Sequence, residues 1–229
     1  MASAADLVRA MRARHGEGWY RTLSFRQKVT RTAPDGSPPT EEVWYERAMV
    51  PGKLRIDFGT EYSGSGVIYS GDSLYVFEDG RLLRQLAQRN ALLTLAFDVY
   101  VQPPDTTLRQ LEEEGFDLGR FHVATFDGRR AYVVGAEEGD MESPQFWIDA
   151  ERLLFLRMRR PAGPGGAQTS EITFHDWMPL GGGWIAPTVV FRTEGVETMR
   201  EEYYDMLADP SMEPQVFDPA RWGSEVGRR

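Results

Sequence analysis

Apolar and polar residues alternate along much of this chain. Along Trp19–Arg31 the odd positions Trp19, Leu23, Phe25 and Val29 are largely apolar. The even positions Thr22, Ser24, Arg26, Lys28 and Thr30 are polar, apart from Tyr20. Successive strand side chains point to opposite faces, so this run predicts a strand with one greasy and one wetted face. Leu54, Ile56 and Phe58 alternate with Arg55 and Asp57 in the same way. Further strands are expected over Glu42–Val50, Val67–Ser70 and Leu74–Glu78, with a type I′ hairpin at Asp79-Gly80. After Gly115 they resume as Phe121–Phe126, Arg130–Gly135, Gln145–Asp149, Leu153–Arg159, Glu171–Trp177, Trp184–Arg192 and Val196–Met206. Asp127-Gly128 and Gly181-Gly182-Gly183 mark turns between them, and Pro187 predicts an edge strand or a bulge.

Helical spacing interrupts this rhythm in three places. Leu7, Val8 and Met11 give Ala4–His15 an amphipathic pattern that Gly16 and Gly18 stop. Gln88–Val101 carries Ala91, Leu92, Leu95 and Ala96 at helical spacing and ends at Pro103-Pro104. Asp105 then reads as the N-cap of a helix over Thr106–Glu114, with Gly115 as its stop. The two central helices are either a lid over an opening or a crossover that covers one end of the sheet. Hairpin-scale spacing elsewhere predicts a mainly β fold with a few short helices: a curved antiparallel sheet forming an incomplete β-barrel, with helices covering its concave side. No shift in composition divides the chain, so residues 1–229 read as one domain.

Composition narrows the function. A net charge of −9 disfavours nucleic acid and an anionic membrane surface as partners. The chain has no cysteine, which excludes disulfides, thiolate catalysis and cysteine-ligated metal. It also excludes attachment of lipid through a cysteine. No apolar run approaches the roughly 20 residues of a membrane span. Met1-Ala2-Ser3-Ala4 leads straight into the first helix, without the basic and apolar regions of a signal peptide. An intracellular protein, or a mature form carrying an added start Met, is expected.

No enzymatic signature stands out. His15, His122 and His175 are far apart in sequence and read as ordinary surface or strand residues. There is no nucleophile elbow, phosphate loop or dinucleotide fingerprint. The consecutive acids Glu112–Glu114, Glu137-Glu138 and Glu201-Glu202 read as solvated surface. Neither a metal nor a cofactor is expected. The positive signal is aromatic. Tyr75-Val76-Phe77 and Phe146-Trp147-Ile148 are apolar on both faces, so one face could line a cavity, or both could belong to an ordinary two-layer core.

Five segments carry a family resemblance. They are Phe25-Arg26-Gln27-Lys28-Val29, Trp44-Tyr45-Glu46-Arg47, Lys53–Phe58, the hairpin Val67–Tyr75 and the tail segment Val216-Phe217-Asp218-Pro219. In this order they resemble the outer-membrane lipoprotein carriers, the LolA/LolB-like family. The resemblance implies a half-barrel over helices and a periplasmic carrier or binding protein, without enzymatic activity, that takes a lipid or lipoprotein acyl chain into a hydrophobic cavity. A membrane-bound donor or acceptor protein would be a further partner, and the mature form with an added Met becomes the favoured origin of the chain. Expected ligand contacts are Phe25, Trp44, Phe58, Tyr69, Tyr75 and Phe77 on the strands and Leu92 and Leu95 on the first central helix. Arg47 matches the family's strand arginine, which implies bonds to carbonyls of the Asn90–Val101 segment that keep the empty form closed. Ala48 follows it where the family has proline. The alternative is a sensor or protein-interaction module on the same fold, its apolar face only a core.

Overall fold

A computed structural model describes residues 1–223. Helix α1 (Ala4–His15) starts where the Ser3 hydroxyl accepts from the Asp6 amide at 3.1 Å. Asp6 lies in its first turn and Arg12, Arg14 and His15 in its last, as the helix dipole favours. Its stripe of Ala4, Leu7, Val8 and Met11 is fully buried.

The chain then makes one half of the sheet as a meander: β1 (Thr22–Arg31), β2 (Thr40–Met49), β3 (Lys53–Phe58), β4 (Gly66–Ser70), β5 (Ser73–Glu78) and β6 (Arg81–Ala87). Helix α2 (Ala91–Ala96), a 3-10 turn at Asp98–Tyr100 and helix α3 (Pro104–Glu113) follow. The second half comprises β7 (Phe121–Phe126), β8 (Arg129–Val134), β9 (Gln145–Asp149), β10 (Phe155–Ala162), β11 (Gln168–His175), β14 (Thr188–Thr193) and β15 (Val196–Ala208). A separate two-stranded hairpin, β12 (Met178–Leu180) and β13 (Gly183–Ile185), stands between β11 and β14.

Among the described residues all pairings are antiparallel, and the main sheet has 13 strands in the order β6-β5-β4-β3-β2-β1-β15-β14-β11-β10-β9-β8-β7. It does not close, because β6 and β7 are opposite edges. First and last strands pair at its centre. The helical segment therefore leaves one edge and arrives at the other, which carries it across the concave face.

That face holds the main core. Leu23 and Phe25 from β1, Ala48 from β2 and Leu54 from β3 join α1, α2, Phe146, Phe155 and Phe174 in one cluster. The convex face is buried only in patches. Ile68 and Phe77 pack under Trp222 of the C-terminal tail, while Ala131, Val133, Trp147 and Leu156 form a second patch. These patches explain the strands that are apolar on both sides: Phe146 and Ile148 point inward and Trp147 outward.

Several boundaries differ from the sequence reading. Pro103 occupies the cap position of α3 with Pro104 at its first residue, so Asp105 lies inside the first turn and is not the N-cap. The second central helix therefore starts earlier than Thr106. The run Trp184–Arg192 is two strands, broken at Ala186-Pro187 because proline cannot donate to the ladder. β14 beyond it is an inner strand, not an edge. The glycine triplet turns β12 into β13, as expected, and a Cβ at Gly182 would collide with the Gly18 carbonyl.

Candidate functional site

Beneath α2, a recess of about 240 Å³ opens onto the concave face. The pleat determines which residues reach it. On β1 and β2 the register pairs Leu23 with Ala48 and Phe25 with Glu46, so all four side chains point to the same side. β3 and β4 extend the floor with Leu54, Ile56 and Tyr69. On the other flank, β14 and β15 add Phe191, Met199, Glu201 and Tyr203. Helix α2 forms the roof with Leu92 and Leu93, and Phe97 closes it.

The roof is held by polar contacts. The Asn90 side chain caps α2, accepting from the amides of Leu92 at 3.0 Å and Leu93 at 3.1 Å. Both carboxylate oxygens of Asp98 accept from the Gly52 amide in the β2–β3 turn at 3.1 Å. Arg89 pairs with Asp72 in the β4–β5 turn and with Glu113 of α3 at 3.1 Å. Trp19 stacks on Tyr100 with ring centroids 3.9 Å apart. Burial pushes the Asp98 carboxyl up to about 7, against the opposing pull of the Gly52 amide and Arg89.

Two carboxyl groups lie within a mainly apolar lining. Glu46 is 8% exposed and Glu201 7%. The Tyr203 hydroxyl donates to Glu201 Oε2 at 3.0 Å. Burial lifts Glu201 to about 7, although Tyr203, Arg31 and the Gln27 amide all act to lower it. Burial and then repulsion by Glu201 hold Glu46 well above the usual carboxylate range. The same burial raises the Tyr69 and Tyr203 hydroxyls.

The expected site residues divide into three groups. Phe25, Tyr69 and Leu92 line the recess. Trp44 and Phe58 lie further along the same face and pack on each other with centroids 4.6 Å apart, outside the lining. Leu95 is buried in the core on α2, also outside the lining. The third group, Arg47, Tyr75 and Phe77, sits on the convex face, one residue out of phase with the inward-facing positions.

For Arg47 this corrects the expected role. Its guanidinium reaches Asp57 at 3.1 Å and Glu61, and lies over the Tyr62 ring; it does not bond the carbonyls of residues 90–101. Arg55 joins the same cluster, bonding Asp57 at 2.8 and 3.0 Å and lying 4.2 Å from the Trp222 ring. Arg89 and Asp98 are the polar residues that tie down the roof. Phe77 stacks on Trp222 with centroids 4.2 Å apart.

The two carboxylates were missed for different reasons. Glu201 belongs to an acidic pair that reads as solvated surface, and only Glu202 of that pair points outward. Glu46 sits inside the segment Trp44–Arg47, where the aromatic residues and the arginine carry the resemblance and the acid itself gives no signal. The alternation held the signal, because Glu46 shares a face with Trp44 and Ala48, and Glu201 with Met199 and Tyr203. The histidines lie elsewhere. His15 contacts the Arg152 carbonyl at 2.8 Å, His122 the Ala136 carbonyl at 3.1 Å, and His175 the Thr173 hydroxyl at 2.7 Å. No helix among the described residues is long and apolar enough to cross a membrane.

No protein-family model matches the sequence. No curated protein matches it either. Solved structures do match in fold. A domain from Vibrio parahaemolyticus described as outer membrane lipoprotein-sorting superposes with a TM-score of 0.63 at 13% identity, covering 96% of this chain and 97% of its own. A LolA superfamily protein from Nitrosomonas europaea gives 0.55 at 12%, covering 96% and 99%. A DUF1329 family protein from Desulfovibrio piger gives 0.62 at 12%, covering 95% and 97%. The chain thus shares its fold with these structures over 95–96% of its length, in line with the LolA-like half-barrel that the five segments implied.

Proposed function

We propose that this protein is a non-enzymatic, periplasmic carrier or binding protein that takes a lipid, or an acyl chain of a lipoprotein, into the recess under α2. The observation that carries this reading is the recess itself: aromatic and aliphatic side chains from both halves of the sheet converge under a helix held by separate polar contacts. The fold shared with a domain described as lipoprotein-sorting supports it. At about 240 Å³ the recess is smaller than the roughly 300–1,000 Å³ of typical small-molecule sites. The arrangement is therefore a closed form, and loading displaces Leu92, Leu93 and Phe97. An eight-carbon stretch moved from water into such a space gains ~6 kcal/mol at ~0.8 kcal/mol per methylene, enough to offset lifting a short helix.

The test is native mass spectrometry of protein isolated from the periplasm of an expressing cell. A bound lipid is expected, and Ala48→Trp, which fills the floor, is expected to abolish it. Protein that is free of lipid from every membrane-rich preparation, and that takes up no added fatty acyl probe, would refute the reading. One feature favours the alternative of an interaction module. Edge strand β6 exposes Leu82, Leu83 and Leu86 beside an unpaired backbone. Under that alternative, replacing these leucines with lysine removes partner binding and leaves the recess without a ligand.

A further inference from the structure

The recess contains more carboxyl groups than an acyl chain needs. A purely hydrocarbon ligand is best served by an apolar wall, and burying a carboxylate without a partner is costly. Yet Glu46 and Glu201 both project into this one space, each more than nine-tenths buried. Among the described residues no lysine, arginine or histidine lines the recess. Among the described residues no side chain donates to the Glu46 carboxylate, and Glu201 has the Tyr203 hydroxyl but no ion pair. Such a pair is short of positive charge and of donors. An ionised carboxylate only accepts hydrogen bonds, so its complement is a cation that donates several. Phe25, Tyr69, Phe97 and Phe174 line the same space, and ring faces also attract an ammonium group.

We propose that the recess selects an amphiphile bearing a protonated amine, its ammonium seated between Glu46 and Glu201 and its hydrocarbon lying against Leu54, Leu92 and Phe97. This deepens the carrier reading and depends on the recess being a ligand site. The cation draws both carboxyls to their ionised form and offsets the repulsion between them, and the net charge of −9 draws it toward the protein. An aminolipid and the free N-terminal amine of an acylated peptide share this chemistry.

Octylammonium, octanol and octanoate have the same chain length and differ only in the head. NMR titration of the intact protein with each, below its aggregation concentration, reads the preference directly. The expected order is octylammonium, then octanol, then octanoate, with at least a tenfold gap between first and last. Glu46→Gln and Glu201→Gln, each checked for a native spectrum, are expected to shrink the octylammonium-to-octanol ratio several-fold. Equal affinity for the three, or a preference for octanoate, overturns the proposal and leaves the hydrophobic site standing. A preference for octylammonium that survives in both variants assigns it to surface charge and also overturns the proposal. Binding of none of the three overturns this proposal and the carrier reading together. If octylammonium is preferred, a diacylated peptide with a free amine, compared with its N-acetylated form and with a long-chain aminolipid, identifies the source.

Discussion

Asp98 gives the closed roof a pH dependence that can be worked out from its surroundings. The residue is 3% exposed and holds the segment after α2 to the Gly52 amide. Its folded pKa is raised from 3.8 to about 7, chiefly by burial. Once the roof lifts, the carboxyl meets water and returns to its ordinary value. The closed form therefore binds the proton more tightly than the open form, and its advantage is full below about pH 4. That advantage declines as pH rises toward 7, by up to ~4 kcal/mol at ~1.36 kcal/mol per pH unit. Asp98→Asn keeps the shape and one acceptor for Gly52 but cannot titrate. Hydrogen exchange of the amides in residues 91–101, corrected for intrinsic rates, reports the opening equilibrium. In the wild type the opening constant is expected to rise by nearly three orders of magnitude between about pH 4 and about pH 8. In Asp98→Asn most of that rise is expected to vanish. Glu46 and Glu201 lie under the same helix and leave a smaller slope in the variant, while Arg89 is raised and Glu113 lowered, so that pair stays ionised throughout neutral pH. An identical slope in the two proteins would refute the reasoning, because the titrating group would then lie elsewhere.

Two further predictions concern carboxylates on opposite faces of the sheet. Glu201→Gln is expected to flatten the wild type's loss of stability between about pH 5 and about pH 8; Glu201 is raised from 4.5 to about 7, so the wild type is favoured below its unfolded pKa and penalised above its folded one, by up to ~3 kcal/mol. Urea denaturation at the two pH values measures the difference between the proteins. On the convex side, Asp57→Ala strands the Arg55 and Arg47 guanidiniums and is expected to cost ~3–5 kcal/mol in the same assay, with the balance of loaded and empty protein unchanged. A shift in that balance would restore a role for Arg47 in the roof.

The sequence carried the strands more clearly than the site. Alternation, Asp-Gly turns and the glycine triplet are local, and each acts through its own backbone. Alternation separates residues into two sets, but it cannot say which set faces the hollow when both faces are partly buried. Tyr75 and Phe77 show the difficulty. They are as apolar as any inward residue because the tail lays Trp222 over them, a contact between positions some 145 apart in sequence. Arg47 is subject to the same ambiguity: its neighbours Glu46 and Ala48 face the recess, while it supports the other side. Glu201 was hidden because a pair of acids in a strand normally means solvent, and only its opposition to Val29 and Val189 turns it inward.

The path of the chain through the sheet has a mechanical consequence. Its two ends are stitched together along the central β1–β15 seam, while the outermost strands β6 and β7 are joined by α2 and α3. The molecule resembles a pair of wings with a strap between their tips. Spreading the wings tightens the strap, and folding them slackens it. Widening the hollow for a bulky cargo and lifting its cover are therefore one coupled motion, and a staple fixed between the tips would arrest both at once.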